Sequence, residues 1–551
     1  MYTMDHFNLA GSESNTSITS LEWLGIKNSF TGSHWAHITG LSELHPTGFL
    51  CLIATLIIGI VHLTRGPKPT VLPVVNPPGT FELTANRVKK EWLVDARQII
   101  RRGFEKFPGK PFNMIAADVG LTTVLPPEYA SEIRNNPSLS FVAFMAHLFF
   151  SELPGFEPTR EGMFDNDIGI TVVHKYLTVN LARITEPLSR EATAALKDIF
   201  TDNSEWHDAN LKAINLALVA RLSSRIFLGE ELCRNEEWLK ITVNYTVDVM
   251  KAAERLRRVP GPLRRIVHWF LPEAQKCRDE VKRAGKVIRP VLEKRRREKA
   301  TMESEGKEAL QYNDAIEWFE QMAKSQGTSY DPEVVQLFLS TVAIHTTSDL
   351  LTVVMADLAR NPEIIEPLRE EISSVLRDGG WKKTSLTDMK LLDSVLKESL
   401  RLKPIAVVSM RRVAMDHLKL SDGTFLPKGT KMAVSSHRMW DPDVYENPEQ
   451  WDGFRYVNLR ETPGRDKHAL FVSTSERHLG FGHGKHACPG RFFASSELKV
   501  ALCHILMKYD FELAPGTVVQ HRYSGASYYA DPAIRVMLRR RNVALPSWFE
   551  R

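Results

Sequence analysis

The pattern of apolar and polar positions divides the chain near residue 65. Apolar side chains dominate residues 49–63, and only two polar residues interrupt them. With its flanks, at residues 47–64, this stretch makes about 27 Å of helix, close to the bilayer core of about 30 Å. Arg65, Lys68 and a proline-rich spacer follow it. We therefore expect a transmembrane anchor, with a buried core helix as the alternative.

Helical periodicity dominates the chain beyond the spacer, and the strand-like pieces are short. One of these, residues 419–436, predicts a β-hairpin that turns at Asp422-Gly423. The pattern predicts a mainly α protein with small β-sheets (α+β). We expect a lumenal segment at 1–46, the anchor, a stiff linker at 65–79 and one large domain at 80–551.

A long helix is bounded by two local signals. Asp331-Pro332 is typical of a helix start, and Asn361-Pro362 stops the helix about 29 residues later, after about 43 Å. Its flanks are apolar, whereas residues 345–349 at its midpoint read His-Thr-Thr-Ser-Asp. Polar residues at the centre of a domain favour a polar pocket or a local opening of the helix. Hydroxyls that bond back to the preceding turn are an equal alternative.

Composition narrows the class of protein. The chain has 551 residues, 43% apolar and 25% charged, with a net charge of +5. These ordinary values exclude a disordered chain, a polytopic membrane protein and nucleic-acid binding through bulk charge. Five cysteines do not indicate a disulfide scaffold, and they favour a reducing compartment.

A basic segment, residues 251–299, contains an apolar loop around Trp269 and Phe270. Two solvated helix faces explain its charge. The mixture of apolar and basic residues also suits a loop that dips into a membrane surface.

The stretch from Phe481 to Gly490 contains the candidate metal-binding residues. It is rich in glycine, and Cys488 lies where this loop meets a predicted helix. A thiol at a helix N-terminus is expected to have a lowered pKa, and the thiolate is the form that binds iron. Two alternatives stay open at this point: a buried structural thiol, and a zinc site formed by His483, His486 and Cys488.

The spacing Phe481-x-x-Gly484-x-His486-x-Cys488-x-Gly490 resembles the haem-binding signature of the cytochrome P450 superfamily. Three further matches occur in the family's order: Glu398-x-x-Arg401, the segment Trp451 to Arg455, and the oxygen-activation motif at residues 343–348. The resemblance covers about residues 80 to 545. It is similar in style to membrane-bound filamentous-fungal members that modify terpenoids and other secondary metabolites.

The resemblance implies roles for individual residues. Cys488 would be the axial ligand of haem b, and the other cofactor contacts would be Phe481, Gly482, His486, Arg412 and Gly490. A structural triad would comprise Glu398, Arg401 and Arg455. Thr347, with Thr346, would deliver protons, and the substrate pocket would include Ala343, Ile344, Ile405, Val407 and Ser527. In the oxygen-activation motif, Thr346 and Ile344 replace the acid and the glycine that are usual in the family. The resemblance therefore does not identify the route of proton delivery.

The function implied is a haem-thiolate monooxygenase that oxidises a hydrophobic small molecule with dioxygen. NADPH would act through a separate NADPH–cytochrome P450 reductase, since the chain has no Gly-x-Gly-x-x-Gly motif. Lys485 and Arg491 would help to dock it. We expect a single-pass protein of the endoplasmic reticulum membrane with a cytosolic catalytic domain, a glycosylation sequon at Asn15 on the lumenal side, and no nucleic-acid partner. The alternatives are a haem-thiolate enzyme that rearranges or dehydrates its substrate, and a non-catalytic haem- or zinc-binding membrane adaptor.

Overall fold

The computed structural model describes residues 72–550, apart from residue 83, residues 162–167 and residue 309. The predicted anchor, the lumenal segment and the Asn15 sequon lie outside the described residues. Of the predicted linker, the structure describes residues 72–79. This part is extended, and the Val75 N–H donates to the Asn113 carbonyl at 2.9 Å. The described end of the linker therefore packs on the domain.

Helices make up most of the described chain. In order they are α1 Asn86–Lys106, α2 Ala130–Ile133, α3 Phe141–Phe149, α4 Ile168–Val172, α5 Leu181–Ile199, α6 Leu211–Phe227, α7 Gly229–Leu232, α8 Glu236–Arg257, α9 Arg264–Val267, α10 Pro272–Ser304, α11 Ala315–Gln326, α12 Pro332–Arg360, α13 Ile365–Gly379, α14 Lys383–Asp388, α15 Lys390–Leu402, α16 Arg455–Arg460, α17 Asp466–Ala469, α18 Arg491–Lys508 and α19 Ser547–Glu550. The predicted fold class, mainly α with small sheets, is confirmed.

The strands form small sheets at the side of the helices. They are β1 Phe112–Ala116, β2 Gly120–Leu125, β3 Leu139–Ser140, β4 His207–Asn210, β5 Val408–Ala414, β6 Leu418–Lys419, β7 Phe425–Leu426, β8 Lys431–Ser435, β9 Tyr509–Leu513, β10 His521–Ser524, β11 Ser527–Ala530 and β12 Arg535–Arg540. The largest sheet has the order β1-β2-β8-β5-β3, in which only β2 and β8 run parallel. The predicted hairpin is confirmed as β6 and β7, whose turn includes Gly423 at φ 88°.

Helix α12 begins and ends where the two proline signals predict. It is the one helix among the described residues that is long and apolar enough to cross a membrane, but most of it is buried within the domain. It packs on α6, α8 and α10 in the main helical core. The helix is continuous through its polar midpoint, so a local opening, one of the interpretations that the sequence left open, is wrong. Of residues 343–349 on this helix, Ile344, Thr347 and Ser348 are buried and the others are partly exposed.

Candidate functional site

The cysteine loop is shaped by glycines with left-handed backbone. Gly482 has φ 71° and Gly484 has φ 80°, values that L side chains rarely adopt. A Cβ at Gly484 would lie 2.4 Å from Cβ of Arg134, so no larger residue fits there. The loop closes with the Cys488 N–H donating to the Phe481 carbonyl at 2.8 Å. Cys488 therefore sits three residues before α18, at the predicted junction of loop and helix.

The thiol of Cys488 is free and partly buried. Burial raises its pKa, and the N–H groups of Gly490 and Arg491, together with the Arg491 guanidinium, lower that pKa by less. The expected lowering of the pKa is therefore wrong, because loss of solvent outweighs the helix N-terminus. Since a coordinating metal deprotonates a thiol outright, the thiolate form depends on the metal.

The zinc alternative lacks its ligand set. The ring nitrogens of His483 lie 3.0 Å from the Thr474 hydroxyl and 3.4 Å from the Arg134 guanidinium. No group of three metal-binding side chains occurs in the part of the chain that the structure describes. His486 instead lies beside Phe141, with 5.9 Å between ring centres.

Arg412 is a buried cation on β5. Its side chain is 2% exposed, and its guanidinium donates to the Arg411 carbonyl at 2.7 Å. Within the described ranges it forms no ion pair, and burial lowers its pKa to about 10. The bulge of β5 between Ser409 and Arg412, with Met410 at φ 51°, sets the direction of this side chain. A buried arginine of this kind suits a carboxylate of a bound group, such as a haem propionate.

The residues of the loop also fit a haem. The sulfur of Cys488 receives two backbone N–H groups, and a Cβ at Gly490 would meet no atom within 4 Å. Arg412 and His486 both flank the ring of Phe141. A thiol ligand and a buried cation without an anion are the donors that a haem with propionates requires.

The predicted triad forms a buried ionic network. Arg401 donates twice to the carboxylate of Glu398, both times at 2.8 Å, and Arg455 donates to the same carboxylate at 3.1 Å. Glu398 and Arg401 are 0% exposed. Arg401 also donates to the carbonyls of Met439 and Pro448 at 2.5 and 2.7 Å, so the network joins α15 to residues 439–455.

The two threonines at the midpoint of α12 differ in their bonding. The Thr346 hydroxyl donates back to the Val342 carbonyl at 2.9 Å, as hydroxyls in helices often do. Thr347 is 4% exposed, and its hydroxyl makes no such bond to the described residues. Asp349 faces away, where it pairs with Lys212 and accepts the Ala530 N–H at 3.2 Å. Of these two threonines, Thr347 is thus the one whose hydroxyl is left available.

Of the three segments predicted to line the pocket, the structure brings two together directly, and among the described residues α12 reaches them through Val353 and not through Ala343 or Ile344. Ala406 pairs with Ser527, and the Tyr528 N–H donates to the Ile405 carbonyl at 2.9 Å. On α12, Val353 packs against Tyr528 and Ala530. Of the five predicted residues, Ala343, Ile405 and Ser527 are partly exposed, whereas Ile344 and Val407 are enclosed.

Two further residues touch the cysteine loop, and no sequence motif marks them. The Asn135 amide oxygen accepts the Lys485 N–H at 3.0 Å, and Arg134 packs on Gly484. Arg491, for which docking of a partner stays a prediction, donates to the Cys488 carbonyl at 2.7 Å. Only the tertiary structure reveals these residues, because their contacts join segments that are distant in the sequence.

Comparison with known proteins places this arrangement in context. The sequence matches the family model described as cytochrome P450 over residues 98–532. It is 49% identical to cytochrome P450 monooxygenase 1 of Gibberella fujikuroi, covering 79% of this chain and 98% of that protein. It is 43% identical to cytochrome P450 monooxygenase TRI1 of Fusarium sporotrichioides, over 90% and 89% of the two chains. The solved structure of retinoic acid-bound cyanobacterial CYP120A1 shares the fold, with a TM-score of 0.61 at 17% identity, covering 85% of this chain and all of that one.

Proposed function

Because this chain belongs to the cytochrome P450 family and is a monooxygenase like its named fungal relatives, we propose that it oxidises a hydrophobic small molecule of secondary metabolism. A terpenoid is the first candidate substrate. The reaction would insert one atom of dioxygen, and two electrons would come from NADPH through a separate reductase.

The observation that carries the proposal is the environment of Cys488. A free thiol on a glycine-shaped loop, with two N–H groups on its sulfur, lies in the same region as the buried Arg412, which forms no ion pair among the described residues. Phe481, Gly482 and Gly490 would shape the haem side of the loop, and Arg412 and His486 would hold the propionates. A haem bound there supplies the dioxygen chemistry, which thiolate ligation favours.

Residues at the midpoint of α12 would then take part in proton transfer. Oγ1 of Thr347 can hold a water or pass a proton, because its hydroxyl is not bonded back onto the helix. Thr346 is the weaker candidate, since its hydroxyl is already bonded to Val342. His345 is held away by the Val243 carbonyl at 3.0 Å, and burial lowers its pKa.

We infer the substrate class from the character of the residues that the family resemblance assigns to the pocket. Ala343, Ile344, Ile405 and Val407 are apolar, and Ser527 adds a hydroxyl. Shape and burial of apolar surface would hold the substrate there.

We also propose that the protein is anchored in the endoplasmic reticulum membrane by residues 47–64, with the catalytic domain in the cytosol. The loop between α8 and α10 supports a second contact with the membrane surface. Trp269 is 54% exposed and Phe270 is 80% exposed, and Arg264 and Arg265 lie close by in sequence. Lys485 and Arg134 are exposed on the cysteine loop and its neighbour, where cations would favour an acidic reductase.

The test uses the holoenzyme with an NADPH–cytochrome P450 reductase and an apolar extract of the producing organism under ¹⁸O₂. We expect NADPH-dependent products that carry one labelled oxygen, and we expect none from Cys488→Ala. Products without label would favour the rearrangement or dehydration alternative. The proposal would be overturned if the reduced carbon-monoxide complex of the wild type lacked a thiolate-type spectrum.

A further inference from the structure

Lys397 is a buried lysine on α15. Its side chain is 1% exposed, and it forms no ion pair with the residues that the structure describes. Asp393, one turn earlier, pairs instead with Lys499 at 2.6 Å and Arg460 at 3.2 Å. Burial of an unpaired ammonium is costly, and it lowers the pKa of Lys397 to about 7; the N–H donors of the buried amino group must therefore be satisfied by other contacts.

The ammonium group of Lys397 donates to two backbone carbonyls. The distances are 2.6 Å to Leu470 and 3.1 Å to Ser473, and the ring of Tyr456 lies 5.2 Å away. On the same face of α15, the Asp393 carboxylate accepts the Phe471 N–H at 2.7 Å. One helix face therefore holds residues 470–473 at three points.

This held segment leads directly to the cysteine loop. The ring of Phe471 packs edge-on against Phe481, with 5.1 Å between ring centres. The Phe481 carbonyl accepts the Cys488 N–H at 2.8 Å. A chain of contacts thus runs from the ammonium through Phe471 and Phe481 to the backbone of Cys488.

Adjacent residues of α15 hold different parts of the chain. Glu398 and Arg401 bind residues 439–455, upstream of the segment held by Lys397. No atom of the triad is hydrogen-bonded to residues 470–473 within the described chain. Helix α15 therefore supports residues 470–473 through Lys397 and Asp393, and not through the triad.

We propose that Lys397 is a positioning residue for Cys488. By holding residues 470–473, it keeps the cysteine loop in the conformation that binds haem iron. This inference rests on the proposed function, in which Cys488 is the iron ligand. Lys397 would act through Phe471 and Phe481, without contact with cofactor or substrate.

The test compares the wild-type holoenzyme with Lys397→Met, which keeps side-chain length but loses the N–H donors. Lys390→Met, at an exposed position on the same helix, is the matched control. The thiolate band of the reduced carbon-monoxide complex is followed during mild heating, with helix content measured by circular dichroism. We expect Lys397→Met to lose the band about tenfold faster than the wild type, before helix content changes. The inference would be overturned if Lys397→Met lost the thiolate band at the wild-type rate, or lost the band and its helix content together.

Two further variants cover the remaining outcomes. Lys397→Gln keeps amide N–H donors on a shorter side chain, and we expect its rate to lie between those of the wild type and Lys397→Met. If Lys397→Met does not fold, a wild-type rate for Lys397→Gln overturns the inference. Cys488→Ala tests the underlying function separately: a thiolate band that persists in this variant removes Cys488 as ligand, whatever Lys397→Met shows.

Discussion

At the scale of single residues, the two threonines of α12 are predicted to differ in function. We expect Thr347→Ala to keep its haem and bind substrate, because the residue is no iron ligand, but to lose ordered proton delivery. Product formed per NADPH should fall roughly tenfold, with more hydrogen peroxide released. Thr346→Ala is the control and should stay near wild type, since its hydroxyl is bonded to Val342. Wild-type coupling in Thr347→Ala and in the double variant would make Thr347 a structural residue.

Glu497 predicts a pH dependence of stability. This carboxyl is 0% exposed, accepts the Ser223 hydroxyl at 2.7 Å, and has a pKa raised by burial from 4.5 to about 8. The folded state keeps the proton between these values and the unfolded chain releases it, so the free energy of unfolding falls as pH rises through this window. Across this window, the free energy of unfolding of the wild type should fall by on the order of a few kcal/mol more than that of Glu497→Gln. Urea denaturation of both proteins at several pH values across the window measures this difference. If the free energy of unfolding depends on pH in the same way for both proteins, the prediction is contradicted.

At the scale of elements, α15 joins the central helix to the loops that precede the cysteine. Glu398→Gln leaves the buried guanidinium of Arg401 without its anion, while Arg455 is partly exposed. We expect the free energy of unfolding to fall by about 3–5 kcal/mol. Urea denaturation measures this, with Glu461→Gln at an exposed position as control. Equal stability of both variants would show that the network is not needed for folding.

At the scale of the whole molecule, two regions are predicted to contact the membrane. Removal of residues 1–66 should release the protein from membranes in alkaline carbonate, while haem binding persists. Because Trp269 and Phe270 are exposed, the truncated protein should still bind vesicles at neutral pH. Trp269→Ser with Phe270→Ser in the truncated protein should weaken that binding. A truncated protein that resists carbonate extraction would reveal another span.

The amino-acid sequence by itself determined the features that depend on local signals. Pro332 and Asn361 set the limits of α12, Asp422-Gly423 set the β6–β7 turn, and the glycine-rich run before Cys488 set the junction with α18. Proline and glycine act on the backbone of their own neighbours, so these features need no distant partner. The spacing around Cys488 likewise carried the resemblance to the family.

Only the tertiary structure decided the features that depend on what surrounds a side chain. Burial reversed the expected pKa shift of Cys488, and a bulge in β5 directed Arg412 into the protein. Hydrogen bonding distinguishes Thr346, whose hydroxyl donates to Val342, from Thr347. Lys397 is buried and donates to the Leu470 carbonyl, although the pattern of its helix does not distinguish it from an exposed lysine. Desolvation and hydrogen bonding arise between segments far apart in the chain, and periodicity within one segment carries no information about them.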